Sequence, residues 1–215
     1  MFNRLVTLLP CLFLLNACST SLQVIGDTFA PLRGRSDKLT DTAKLDTRYR
    51  YLRVTVHGRS TLMILGYVDP APHTPVEVWY SAGGAEVLRL QDGRVVGTTA
   101  MPTDWSNVRL SALPSWSSIS APLTLTRRRD VMPGYDYGVV DTLSVIPIAP
   151  PSGTHLVGVP VDRLSWFKET SSGREPLPPG RYGVSIRNGQ GIVVYGEQCL
   201  SRSFCISWQR WPANS

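Results

Sequence analysis

The sequence predicts an all-β protein, an antiparallel curved sheet closing as a half-barrel or sandwich, behind a cleaved leader and a short tether. Three observations predict it. Apolar and polar residues alternate with a period of two in many short segments from Tyr49 onward. Asp92-Gly93 and Asn188-Gly189 stand between such segments, and these dipeptides supply the positive φ angles that tight hairpins need. Glycine (18) and proline (17) are abundant while charged residues are only 18%, a balance that suits turns and strands over a helical bundle.

The leader comes first. Arg4 precedes an apolar run from Leu5 to Leu15, followed by Asn16-Ala17-Cys18. A positive start, roughly ten apolar residues and a small residue before the cut are the parts of a secretory signal peptide. The run is too short to span a bilayer, which takes about 20 residues, and Pro10 interrupts it. Leu15-Asn16-Ala17-Cys18 resembles the lipobox of bacterial lipoproteins, in which the cysteine is acylated and becomes the new N-terminus. Cys18 is therefore the expected lipid anchor. Several acyl chains hold a protein stably, at ~0.8 kcal/mol per buried CH₂. By resemblance to enteric lipoproteins, Ser19 in place of aspartate points to the outer membrane, facing the periplasm. Residues 1–17 are read as leader, 18–48 as acylated N-terminus and tether, and 49–215 as the β-rich domain. Within the tether, Ser36–Asp46 is polar and compatible with a short helix capped by Ser36 or Asp37.

The strands follow. Leu52, Val54 and Val56 alternate with Arg53, Thr55 and His57. Gly58-Arg59-Ser60 turns the chain into the apolar run Thr61–Val68. The segment 69–75 carries three prolines and reads as a rigid loop. Strands are expected at Val76–Tyr80, Glu86–Leu90 and Arg94–Thr98. Others are expected at Pro122–Arg128, Tyr137–Val145, Leu156–Val161, Arg163–Glu169, Arg181–Arg187, Ile192–Tyr195 and Phe204–Trp211. Pattern alone does not choose among sandwich, barrel and half-barrel.

Removing residues 1–17 takes away Arg4 and no acid, so the net charge of +6 becomes +5. That charge tolerates anionic lipid headgroups, acidic glycans, or nothing specific; nucleic acid does not suit an exported, anchored chain. Of four cysteines, Cys11 leaves with the leader and Cys18 carries lipid. Cys199 and Cys205 remain, and an oxidising compartment favours their pairing as a hairpin staple. The alternative is a free dithiol or a metal site, for which no nearby histidine or second cysteine pair is present.

No nucleophile elbow, zinc-protease helix, phosphate loop or Cys-x-x-Cys occurs. No catalytic residue, metal or cofactor is expected. His57, His73 and His155 are scattered. Asp130, Asp136 and Asp141 are candidates for a hydrolytic carboxylate pair, against the plainer role of satisfying backbone donors in turns. Arg127-Arg128-Arg129 is the densest basic run and a candidate contact for an acidic sugar or lipid phosphate; as a strand end it would alternate between faces. Of six tryptophans, Trp208 and Trp211 are three apart and face opposite sides of a strand. One is expected in the core and the other as a sugar platform or partner contact.

Several short motifs stand together: the lipobox, Tyr51-x-x-Val54-x-Val56-x-Gly58, Trp79-Tyr80-Ser81, Asp92-Gly93-Arg94-Val95-Val96-x-Thr98, and Met101-Pro102. With them the chain resembles the YjbF/GfcB group of capsule and exopolysaccharide lipoproteins over roughly residues 12–110. The resemblance implies a half-barrel fold and a non-catalytic accessory role in making or exporting surface polysaccharide. Its implied partners are the membrane, through Cys18, and polysaccharide or export proteins. The competing expectation is a structural envelope lipoprotein whose open sheet holds an acyl chain or a partner. An envelope glycan hydrolase is the third reading.

Overall fold

Tight turns with both central residues at positive φ build the sheet. His57-Gly58 (49° and 74°), Asp92-Gly93 (49° and 74°) and Asn188-Gly189 (51° and 77°) each reverse the chain in two residues. This is the twist-matched hairpin geometry that Asp-Gly and Asn-Gly favour. His57-Gly58 uses the same device one residue earlier than the pattern implied. The computed structural model describes residues 45–71 and 74–212. The leader, Cys18 and most of the tether lie outside them.

Among the described residues twelve strands form one sheet. They are β1 (Tyr51–Val56), β2 (Arg59–Asp69), β3 (Val76–Ser81), β4 (Val87–Gln91), β5 (Arg94–Thr99), β6 (Asp104–Leu110), β7 (Leu123–Met132), β8 (Asp136–Ile148), β9 (Ser165–Gly173), β10 (Gly180–Arg187), β11 (Gln190–Cys199) and β12 (Cys205–Trp211). Their order is β5-β4-β3-β2-β1-β12-β11-β10-β9-β8-β7-β6, with antiparallel neighbours throughout. Every pairing is between consecutive strands except β1 with β12, where Tyr51 faces Trp211. The fold is thus an up-and-down barrel left open at one seam, between β5 and β6. Two packed sheets, as in a sandwich, are excluded.

Side chains bridge the seam where ladder bonds do not. The Trp105 backbone N–H donates to Thr98 Oγ1 at 3.0 Å, and Thr98 Oγ1 donates to the Thr103 carbonyl at 3.4 Å. The Asp104 carboxylate accepts from the N–H groups of Ala100 (3.0 Å) and Met101 (3.1 Å) in the connecting turn. The β5 edge also reaches the opposite wall. Val95 N–H donates to Gln198 Oε1 of β11 at 3.1 Å, and Arg94 pairs with Glu169 of β9 at 2.9 Å. The tip of the hairpin is tight: a β-carbon on Gly93 would lie 2.4 Å from Val193. The β4–β5 hairpin therefore fills the interior that a curled sheet would otherwise leave open.

The core is built on that interior. Leu52, Trp79, Leu88, Trp105, Trp116, Tyr182 and Trp208 are fully or almost fully buried. Aromatic rings stack there: Trp116 meets Phe167 and Tyr182 at centroid separations of 5.0 and 5.1 Å. Along β7, Leu125, Arg127 and Arg129 point inward and Thr124, Thr126 and Arg128 outward; on β8, Asp141 and Leu143 point inward and Thr142 outward. The outer face of this wall is mixed: Thr124, Thr126, Arg128 and Thr142 stand there with the exposed Tyr137 and Val140.

Three expectations are corrected. Leu156–Val161 is not a strand but a loop running into a single 3-10 turn, Val161–Arg163. Its backbone is clamped to β12, because Gln209 donates to the Val157 carbonyl at 2.7 Å and accepts from Val157 N–H at 3.2 Å. Strand β6 was missed, because a bulge between Ser106 and Arg109 breaks its alternation. Strands β7 and β8 run to Met132 and Ile148, beyond their expected ends. Cys199 and Cys205 are cross-strand partners joined by a disulfide, so the staple closes the β11–β12 hairpin.

Candidate functional site

Loops at the barrel's ends are the natural places for function on such a fold. A cleft of about 500 Å³ opens where the ends of β2 and β3 meet β11 and β12. Asp92 and Gly93, at the tip of the inward hairpin, form part of its lining. Val68 and Ile192 make an exposed apolar lip. Glu77, from β3, is held by two guanidiniums: Arg210 Nη2 lies 3.0 and 2.9 Å from its two oxygens and Arg50 Nη2 lies 3.0 Å away. Arg210 is fixed further by donating Nε–H to the Val193 carbonyl at 2.9 Å. These positions follow from strand alternation, which puts Glu77 and Arg210 on the face of the sheet that lines the mouth.

Asp92 is the perturbed group of the cleft. Burial pushes its carboxyl up to about 6, against the pull of the Arg94 guanidinium 3.5 Å away. The folded value lies above the 3.8 of a free aspartate, so the folded state binds this proton more tightly. That contribution to stability is fully present below about pH 4 and is lost as pH rises through 6. Asp92→Asn removes the slope and keeps the turn, because Asn-Gly suits the same hairpin geometry. The variant is expected to be the more stable protein at pH 8, by up to about 3 kcal/mol. Parallel urea midpoints of the two proteins from pH 4 to 8 would contradict this.

The other expected contacts lie elsewhere. Trp208 faces the interior at 2% exposure, and Trp211, on the outer face, is only 6% exposed beneath the Arg53 guanidinium, 5.7 Å from its ring. Neither tryptophan is a surface platform. Arg127 and Arg129 are also sealed inside, at 3% and 2% exposure. Arg127 lies 2.9 Å from Asp141, with Glu169 3.9 Å away, and Arg129 lies 2.8 Å from Asp141. Both guanidiniums stack on Trp105, at 4.6 and 4.8 Å from the ring. Arg94 stacks on Trp116 at 4.0 Å. The arginine run thus alternates between faces, two members neutralised in the core and Arg128 alone exposed. Burial of the Tyr182 phenol pushes it well above its ordinary range, which keeps it a donor to Gln198 Oε1 at 3.0 Å.

The three aspartates do not converge. Asp130 accepts from Asn107 and the Gly138 N–H, Asp136 pairs with Arg174, and Asp141 belongs to the buried arginine set. His57 sits in the β1–β2 turn and His73 lies outside the described residues. Among the described residues no group of three or more His, Cys, Asp or Glu is placed to hold a metal ion. The Asp92 signal was within reach of the sequence only as a hairpin residue; its burial depends on the inward fold of β4–β5.

Comparison with known proteins gives this architecture a family. No curated protein matches the chain. The crystal structure of a hypothetical lipoprotein, YmcC from Escherichia coli, superposes with a TM-score of 0.55 at 16% identity, over 82% of this chain and 96% of that one. At that identity the likeness establishes the fold. The family model described as group 4 capsule polysaccharide lipoprotein GfcB, YjbF matches residues 29–175. With most of the chain matched and the half-open barrel in place, this protein belongs to the YjbF family of group 4 capsule polysaccharide lipoproteins.

Proposed function

We propose that the protein is a non-catalytic lipoprotein, anchored through Cys18 in the outer membrane and facing the periplasm, that assists the production or export of a surface polysaccharide. The family match over residues 29–175 carries this reading. The site chemistry supports it. The mouth cleft offers fixed carboxylates, guanidiniums and an apolar lip, which suit hydrogen bonding to a hydroxyl-rich chain. Glu77, the cleft's other carboxylate beside Asp92, is tied to two arginines. Hydrolysis by paired carboxylates needs one free to act as nucleophile or base.

The competing acyl-chain reading asks for a dry apolar concavity. The interior instead holds Arg94, Arg127, Arg129, Asp141 and Glu169 among the aromatic rings.

The deciding experiment is a deletion strain assayed for extracellular and cell-bound polysaccharide. Deletion is expected to reduce the polysaccharide and a wild-type copy to restore it. A Cys18→Ser copy is expected to leave the membrane fraction and fail to restore it. Unchanged polysaccharide in the deletion strain, under conditions where the parent makes it, overturns the reading.

A further inference from the structure

The outer wall carries a second polar cleft, of about 480 Å³, lined by Asn107, Arg109, Arg128 and Asp130. It is far along the chain from the mouth residues and belongs to the β6–β7 ladder. The register there places Arg109 directly across from Arg128. Two like charges in directly opposed cross-strand positions oppose folding. Among the described residues neither arginine has a carboxylate within ion-pairing distance, and both side chains are exposed.

The neighbouring acid attracts Arg128 through space but makes no ion pair with it. Asp130 has one oxygen on Asn107 Nδ2 at 2.8 Å and the other on the Gly138 N–H at 2.7 Å. The Asn107 bond, then the Gly138 bond, and after them the nearby Arg128 charge hold its carboxyl below the usual range. Asp130 is therefore a fixed anion spent on shaping the bulge. Asn107 enters that bulge at φ 50°, a left-handed conformation that asparagine tolerates better than most residues. A β-carbon at Gly138 would come within 3.1 Å of the Arg128 guanidinium, so glycine there leaves room for it to lie against β8. The result is a shaped pocket with two guanidiniums against one occupied carboxylate.

We propose that Arg109 and Arg128 form a binding site for the carboxylate groups of an acidic polysaccharide, with Asn107 and Asp130 as its scaffold. The assignment rests on the polysaccharide reading above and adds a ligand chemistry and an address to it. Guanidiniums recognise carboxylates by paired, charge-assisted hydrogen bonds. The surrounding wall presents the exposed hydroxyls of Thr126 and Thr142, suited to sugar hydroxyls. Anionic membrane surfaces are instead recognised by clusters of about four to eight basic residues. Two arginines with an acid beside them, next to Thr126, Thr142 and the exposed Val140, are not such a cluster.

The test uses the full chain purified in detergent, with polygalacturonate as probe, neutral dextran as comparison and phosphatidylglycerol vesicles as the membrane arm. Polygalacturonate is expected to bind tighter than dextran and to weaken with salt. Arg109→Gln/Arg128→Gln is expected to lose at least tenfold in affinity while its thermal midpoint stays the same or rises. Arg187→Gln, an exposed arginine on β10, is expected to bind as wild type. Equal affinity for polygalacturonate and dextran overturns the assignment, as does a double variant that binds like wild type. So does an Arg187→Gln loss equal to that of the double variant, which would mean unlocalised charge attraction. Vesicle binding that depends on the two arginines, without polygalacturonate binding, overturns it in favour of a membrane contact. The assay is read on purified protein, so its outcome is separate from the deletion phenotype that tests the broader function.

Discussion

Asp141→Asn is expected to lower the unfolding free energy by about 3–5 kcal/mol. Asp141 is completely buried and takes the guanidiniums of both Arg127 and Arg129, at 2.9 and 2.8 Å. The amide keeps the shape and removes the charge, leaving two buried cations with Glu169 as their nearest remaining acid, 3.9 Å from Arg127. Breaking a buried pair costs far more than the pair itself is worth, because the desolvated partner is left uncompensated. The readout is the urea midpoint, with an unchanged slope. Asp136→Asn serves as the contrast. Its pair with Arg174 is exposed on both sides, and such pairs contribute about 0–1 kcal/mol. A shift for Asp141→Asn no larger than that of Asp136→Asn would mean the interior set is solvated, contrary to its burial.

Trp105→Ala is expected to cost a similar ~3–5 kcal/mol and, in addition, to open the seam. This side chain fills the core beside β6, an edge of the sheet. Its Nε1–H donates to the Leu200 carbonyl at 2.9 Å, and its ring carries Arg127 and Arg129. Its backbone N–H makes the bridge to Thr98 on the other edge. Alanine keeps that backbone bond, so what the variant loses is the packing and the Nε1 bond that hold β6 against the core; a loosened edge strand templates aggregation. Trp105→Phe separates the contributions: it keeps most of the volume and loses the Nε1 bond, at about 1–3 kcal/mol for the stranded carbonyl. Hydrogen exchange should show faster opening of β5 and β6 in the alanine variant. Slow exchange at both edges in that variant would place the closing force elsewhere.

The hairpins were legible because their cause is local. Asp92-Gly93 and Asn188-Gly189 need only their own backbone preferences to reverse the chain, and both do so where pattern placed them. The Cys199–Cys205 staple was legible for a related reason, since five intervening residues leave room for little but a hairpin. The strand expected at Leu156–Val161 failed because that backbone bonds to the Gln209 side chain of β12 and not to a neighbouring strand, and a clamp of that kind has no period. Strand β6 escaped because its bulge shifts the alternation by one residue, and that bulge is what shapes the Asn107–Arg128 cleft.

The sequence by itself determined the all-β class, the hairpin positions and the family resemblance, all of which rest on neighbours along the chain. Only the tertiary structure decided the barrel over the sandwich, since closing the sheet depends on β1 meeting β12 across the whole domain. It also decided which charges are available. Arg127, Arg128 and Arg129 are indistinguishable as letters, yet two are sealed against Asp141 and one stands in water beside Arg109. Strand alternation assigns each arginine a face; the inward β4–β5 hairpin and the aromatic core make one of those faces dry. A buried guanidinium must find a carboxylate within the protein, whereas an exposed one is free to find it on a ligand.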